Sequence, residues 1–330
     1  MELKKLGNSK VGVTPVAFGA WAIGGWMWGG AEVKDAVKAI RKSIDMGITT
    51  IDTAPVYGFG ASEEITGKAV KGIRDKVQIL TKFGLRWDTP KGKFYFSSKD
   101  NNGNKVNIHH YAGKESVLKE CEDSLRRLGT DYIDLFQIHW PDPTTPVEET
   151  MEALNLLVGQ GKILAGGVSN YDVPLMKEAG KVTMLASNQV PYSMVNRGIE
   201  DEVIPWSIKN DIGILAYSPL QRGLLTGKFS ADHKFKDGDH RAGLYWYKKE
   251  NIICVNEFLA RIKPLAEAKG ASLSQLVLRW TIQQPGITCV LAGARDPGQV
   301  ADNAGVLAFS LQDDELDFIN KEIAALELVG

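Results

Sequence analysis

The spacing of apolar and polar residues switches repeatedly along this chain. Short, nearly continuous apolar runs suit strands buried on both faces. They alternate with stretches whose apolar positions recur every three or four residues, as on amphipathic helices. The runs lie at 16–19, 48–52, 77–82, 133–139, 164–168, 185–189, 212–217 and 287–291. The helical stretches follow at 33–46, from about 62, at 114–128, 147–158, 173–179, 200–209, 252–269 and 297–306. Eight strand–helix units predict an α/β fold, a parallel (β/α)8 TIM barrel, with an open doubly wound sheet as the alternative. Short strands flanking Gly7-Asn8-Ser9 predict an N-terminal β-hairpin that plugs the bottom of the barrel. Two helices, 273–283 and 313–326, stand outside the repeat. With no proline- or serine-rich linker, residues 1–330 are expected to form a single domain.

Two connections are too long for simple turns. One runs from 83 to 113, with Trp87, Phe94, Tyr95, Phe96 and a hydrophilic stretch at 99–104; the other runs from 218 to 251. Loops this long usually carry function, and on a barrel both would rise from the C-terminal rim.

Polar residues close or follow three of the runs. Asp52 ends the second, Lys82 the third and His139 the fourth, and Tyr57 stands five residues beyond Asp52. Parallel neighbours would bring an acid, a cation, a phenol and an imidazole to one rim. A carbonyl becoming an alcohol needs a proton on oxygen, and a phenol near an ammonium can deliver one. Singly, each has a duller explanation: a strand-end turn, a strand reaching water, a surface aromatic, a satisfied core imidazole. The joint pattern outweighs them.

The 39 basic and 40 acidic residues nearly balance, which argues against nucleic acid or a membrane surface as partner. Residues 11–31 carry no charge, but Pro15 and six glycines break them into strand, turn and loop rather than a membrane helix. The first residues show no secretion signal. Cys121, Cys254 and Cys289 have no metal-ligand spacing and read as reduced thiols of a cytoplasmic protein.

The motifs together resemble the aldo-keto reductase family. The resemblance rests on Ile51-Asp52-Thr53-Ala54-Pro55-Val56-Tyr57-Gly58, Leu80-Thr81-Lys82, the 131–140 segment ending in His139-Trp140, Gly167-Val168-Ser169-Asn170, Ser187-Asn188-Gln189 and Ala216-Tyr217-Ser218-Pro219-Leu220. It runs from about Leu3 to Leu326. The 223–228 run and Gly293-Ala294-Arg295 are similar to the bacterial branch related to potassium-channel β-subunits.

The resemblance implies NADP(H)-dependent carbonyl reduction. By motif, Tyr57 is the general acid, Lys82 lowers its pKa, Asp52 pairs with Lys82 and His139 orients the substrate. Ser169, Asn170 and Gln189 match positions that grip the nicotinamide carboxamide, and Tyr217 matches the residue stacked on the ring. Gly19 and Trp21 join the cofactor set. Ser218, Leu220, Gln221, Gly223 and Lys228 would run along the pyrophosphate. Where the family often has Lys-Ser and a later Arg around the adenosine 2′-phosphate, this chain has Gly293, Ala294 and Gln299. Arg295 is the remaining cation, followed by Gln299 and Asn303, so NAD(H) use is also open. The channel relatives suggest an alternative, a cofactor-sensing subunit with little turnover.

The substrate is expected to be a small-molecule carbonyl compound, an aldehyde or sugar. Trp21, Trp26, Trp28, Trp87 and Trp140 would supply an aromatic wall beside Tyr57 and His139. The sequence leaves the oligomeric state open. Two decoys fall away. Gly58-Phe59-Gly60 lacks the third glycine of a dinucleotide loop, and Gly167-Val168-Ser169-Asn170-Tyr171 is one glycine short of a nucleophile elbow. Ser62 reads as a helix N-cap. No close ligand cluster that would support a metal-dependent hydrolase follows a strand.

Overall fold

The computed structural model describes residues 3–26, 32–235 and 239–330. In chain order the elements are β1 (Lys4–Lys5), β2 (Gly12–Val13), β3 (Val16–Gly19), α1 (Val33–Asp45), β4 (Thr50–Asp52), α2 (Ala61–Val70), β5 (Gln78–Phe83), β6 (Leu85–Arg86), β7 (Lys93–Lys99) and β8 (Lys105–His110). They continue with α3 (Lys114–Leu128), β9 (Ile133–Ile138), α4 (Val147–Gly159), β10 (Ile163–Ser169), α5 (Val173–Ala179), β11 (Ser187–Pro191), α6 (Val203–Lys209) and β12 (Gly213–Tyr217). The last are α7 (Lys249–Ala268), α8 (Leu273–Gln283), β13 (Ile287–Gly293), α9 (Pro297–Gly305) and α10 (Asp313–Ala324).

Strands β3, β4, β5, β9, β10, β11, β12 and β13 pair side by side and close into a barrel. Each pairing is parallel. The strands read as unbroken apolar runs because both faces are covered; all six residues of β9 are buried. Leu80, Leu135, Leu215 and Leu291 point inward and meet Leu6, Val11 and Val13 of the β1–β2 hairpin, which plugs the bottom. The outward faces pack on the helices in a second, larger cluster. Local chemistry fixes several helix starts. Asp172 and Asp296 cap α5 and α9, each with proline in the first turn, and Ser272 with Gln275 forms a capping box on α8.

One sequence expectation fails in detail. Ser62 does not cap α2: Gly60 does, in a left-handed conformation with φ 102°. Ser62 lies inside the helix, where its buried hydroxyl donates to the Ala20 carbonyl and shares a hydrogen bond with Thr53. The long connection after β5 is not irregular. It folds as a three-stranded antiparallel flap, β6-β8-β7, beside the barrel mouth. Among the described residues no helix is long and apolar enough to cross a membrane.

Candidate active site

Strand register brings the four candidate residues together. Asp52 ends β4 opposite Leu80 of β5, so Lys82, two residues further along, shares the inward face one step nearer the mouth. The Lys82 ammonium donates to Asp52 Oδ2 at 2.7 Å and to the Thr53 carbonyl at 2.9 Å. Both residues are buried, Lys82 completely. The ammonium lies 5.0 Å from the Tyr57 ring centroid. His139 follows β9, its main-chain N–H donating to the Phe83 carbonyl, and its ring meets Tyr57 edge-on at 5.6 Å. Tyr57 itself is carried by a tight turn: Gly58, Phe59 and Gly60 all have left-handed φ values.

Burial governs the electrostatics. The Tyr57 phenol is pushed well above 10, first by burial and then by the Asp52 charge and Tyr217. Desolvation dominates, and the phenol keeps its proton. His139 is held well below its ordinary value, first by burial and then by Lys82 and His110, so its imidazole is neutral at physiological pH. Lys82 is lowered by burial, and Asp52 opposes that shift. The site thus presents a protonated phenol and a neutral imidazole beside a buried ion pair.

The residues expected at the nicotinamide are adjacent to this group and bonded to one another. Gln189 Nε2 donates to Asp52 Oδ1 at 2.8 Å, a link the motifs did not indicate. Ser169 Oγ donates to the Gln189 carbonyl. Asn170, at φ 60°, donates to the His139 carbonyl and accepts from the Tyr217 hydroxyl at 2.9 Å. The loop after β12 curls tightly, because Ser218, Gln221, Arg222 and Gly223 are all left-handed. Successive residues of this kind can form an anion-binding concavity. Leu220 opens its 3-10 turn, Gln221 is fixed by Ser193, and Lys228 is exposed.

Across the mouth, Gly19 and Gly293 are paired in register at the ends of β3 and β13, which leaves bare backbone there. Beyond them the Gln299 side chain accepts from the Arg295 main-chain N–H, Asn303 donates to the Gly293 carbonyl, and the Arg295 side chain is exposed. An aromatic ring, a set of amides, a left-handed loop and two exposed cations suit the parts of a nicotinamide dinucleotide.

The aromatic wall is only partly as expected. Trp21 lies 6.0 Å from the Tyr57 ring. Trp87 and Trp140 pack with Tyr57 in the cluster under the flap. Trp26 is buried, stacked on Phe96, with its indole N–H donating to Ser98; it holds the flap down rather than facing the mouth. Trp28 lies outside the described residues. Sequence reasoning missed Asn101 at the flap tip, whose amide donates to the carbonyls of Gly24 and Gly58 and so ties the flap to the Tyr57 loop. Its one signal was the run of turn-forming residues around it.

Proton-handling groups at the C-terminal mouth of a closed parallel barrel give the layout of a barrel enzyme. Residues 15–324 match the pattern of the Aldo/keto reductase family. The chain is 39% identical over 323 residues to aldo-keto reductase YhdN of Bacillus subtilis (strain 168), covering 97% of this chain and 93% of the relative. It is 34% identical over 328 residues to the NADH-specific methylglyoxal reductase of Escherichia coli (strain K12), covering 98% of each. Among solved structures, the glycerol dehydrogenase AKR11B4 from Gluconobacter oxydans superposes with TM-score 0.87 at 39% identity, covering 96% of this chain and 93% of that one. An aldo/keto reductase from Klebsiella pneumoniae in complex with NADP and acetate gives TM-score 0.74 at 29% identity over the whole of both chains. The chain belongs to the aldo/keto reductase family, and its reaction class is carbonyl reduction with a nicotinamide cofactor.

Proposed function

We propose that this protein reduces small aldehydes and ketones, sugars included, to alcohols with NADPH as the preferred donor, and that Tyr57 supplies the proton. The observation that carries the assignment is the arrangement around Tyr57. A fully buried ammonium is tied to Asp52 at 2.7 Å and lies 5.0 Å from the phenol ring, while His139 borders that ring at 5.6 Å.

The bound nicotinamide would supply the hydride. Tyr57 would donate its phenolic proton to the carbonyl oxygen as charge develops there. Its high pKa keeps that proton available across the neutral range. The neutral His139 imidazole can donate a hydrogen bond to the same oxygen and set its angle. Lys82 stabilises the phenolate left behind, and Asp52, itself held by Gln189, keeps the ammonium charged and in place. Ser169, Asn170, Gln189 and Tyr217 would seat the nicotinamide, and the 218–228 loop its pyrophosphate. Arg295 supports a preference for the 2′-phosphate, since a guanidinium suits phosphate. The NADH-specific relative makes NADH a cofactor to compare directly.

The test is NADPH consumption with a panel of small aldehydes, for wild type and Tyr57→Phe. Loss of the acid should lower kcat by about 10²–10⁴-fold with little change in NADPH affinity. Equal rates in the variant would remove Tyr57 from the chemistry. NADPH binding without turnover on any aldehyde would favour a cofactor-sensing protein instead.

A further inference from the structure

Arg222 lies in the left-handed curl after β12, half-buried at the mouth. Its guanidinium is 5.9 Å from the Trp21 ring, and Trp21 in turn is 6.0 Å from the Tyr57 ring. The neighbours that interact with its charge are the phenols Tyr217, Tyr247 and Tyr95. Tyr95 belongs to the flap, where it packs on His110 and Trp140, whereas Tyr217 ends a barrel strand. Arg222 therefore lies near both walls of the mouth.

Several other buried or half-buried arginines have a carboxylate at hand, and Arg279, which lacks one, donates to the Phe309 carbonyl. Arg86 pairs with Asp88, Arg197 with Glu200 and Arg241 with Asp239. Among the described residues the Arg222 guanidinium has neither an ion pair nor a hydrogen bond. Its main-chain carbonyl accepts from Tyr247 and Arg241. A partly desolvated cation without a counter-charge is unfavourable, and burial pushes its pKa down from the usual arginine value. The planar fork remains able to grip a carboxylate or phosphate in two places.

We propose that Arg222 is a specificity-determining residue that receives an anionic group of the substrate, so that carbonyl compounds carrying a carboxylate or phosphate are preferred over neutral ones. This rests on the reductase reading above. The carbonyl would lie at Tyr57 and His139, with the body of the substrate along Trp21 and its negative end at Arg222. The same interaction would favour the charged alcohol product.

The test compares 4-formylbenzoate with 4-methylbenzaldehyde, which match in shape and differ in charge. It uses wild type, Arg222→Met and Arg222→Lys. NADPH Kd is measured by fluorescence, and 4-methylbenzoate is titrated calorimetrically into the NADPH-loaded protein. Wild type should favour the charged aldehyde in kcat/KM. In Arg222→Met that preference should fall about 10- to 100-fold, mainly through KM, and Arg222→Lys should keep part of it. The calorimetric Kd for 4-methylbenzoate should weaken in step.

That titration reads the contact without turnover, so it supports or overturns the assignment even if neither aldehyde is reduced. Reduction of 4-methylbenzaldehyde alone would leave the reductase reading intact and overturn the anion site. A weakened NADPH Kd with an unchanged charged-to-neutral ratio would place Arg222 on the cofactor pyrophosphate and overturn the proposal. Equal effects on both aldehydes would do the same.

Discussion

The floor of the mouth and its outer rim are built on opposite plans. At the floor, Asp52 and Lys82 are buried and tied to Thr53 and Gln189, and Ser169, Asn170 and Tyr217 extend the same hydrogen-bonded chain. At the rim, Arg295 and Lys228 are exposed, and among the described residues nothing pairs with their side chains; Gln299 accepts from the Arg295 main-chain N–H. Groups that must hold a proton within a small distance are fixed before anything binds. Groups that only recognise a charge in solvent are left to adapt.

The comparison can be broken most forcefully at Lys82. Lys82→Met leaves Asp52 buried with no cationic partner. It should lower kcat by about 10²–10⁴-fold and cost about 3–5 kcal/mol of stability. Steady-state kinetics and urea unfolding measure the two effects, and a fully active, stable variant would show the floor to be far less rigid than described. Asn101 lies between the regimes. Asn101→Asp keeps the shape but removes the donor that bridges the Gly24 and Gly58 carbonyls. A loss of about 1–2 kcal/mol in stability is expected, together with a several-fold drop in kcat as the Tyr57 loop loosens. Thermal melts and kcat measured on the same preparation would separate the two.

At the rim, Arg295→Ala should reduce the preference for NADPH over NADH only about 3- to 5-fold, because an exposed charge pair is worth about 0.2–1 kcal/mol. Parallel Kd measurements decide it; a loss of a hundredfold or more would mean that the rim closes over the cofactor.

The smallest expected effect is that of pH. Tyr57 has its pKa raised well above 10, so the acid form persists until pH exceeds that value. His139 has its pKa lowered well below 6.5, so the neutral form persists until pH falls below that value. Between the two, kcat/KM should be flat from about pH 6 to pH 9. A break inside that window in the pH profile would place a different group in the chemistry.

The barrel was legible because parallel strands covered on both faces leave runs that differ sharply in period from the helices between them. Segment 114–128 emerged at its expected ends. The flap was not legible for the converse reason. Most of β7 faces solvent, and a bulge between Phe94 and Phe96 breaks its alternation, so no period of two survives. The Asp100 turn at its tip was visible only as hydrophilic residues.

In the site, residue types at strand ends located Asp52, Lys82 and His139 without any distance. What they could not give was the balance of forces on Tyr57. Whether an ammonium or desolvation sets a phenol's pKa depends on how closely the chain covers it. Ser62 shows the same limit at smaller scale: its type suits a cap, but tertiary contacts with Ala20 and Thr53 place it inside the helix.

Gly24 and Gly58 carry a consequence for how such a protein can change. A Cβ on Gly58 would lie 1.8 Å from the Gly24 carbonyl oxygen, and one on Gly24 would lie 2.5 Å from the Tyr57 carbonyl oxygen. The two loops touch backbone to backbone, so neither position can take a side chain without displacing Tyr57. New substrate preferences, whether arising by drift or by laboratory evolution, have to be drawn from elsewhere. The flap offers that freedom: Phe94 and Tyr95 are 53% and 42% exposed and can be exchanged without touching that seam. One side of the entrance is frozen by main-chain contact, and the other is open to variation.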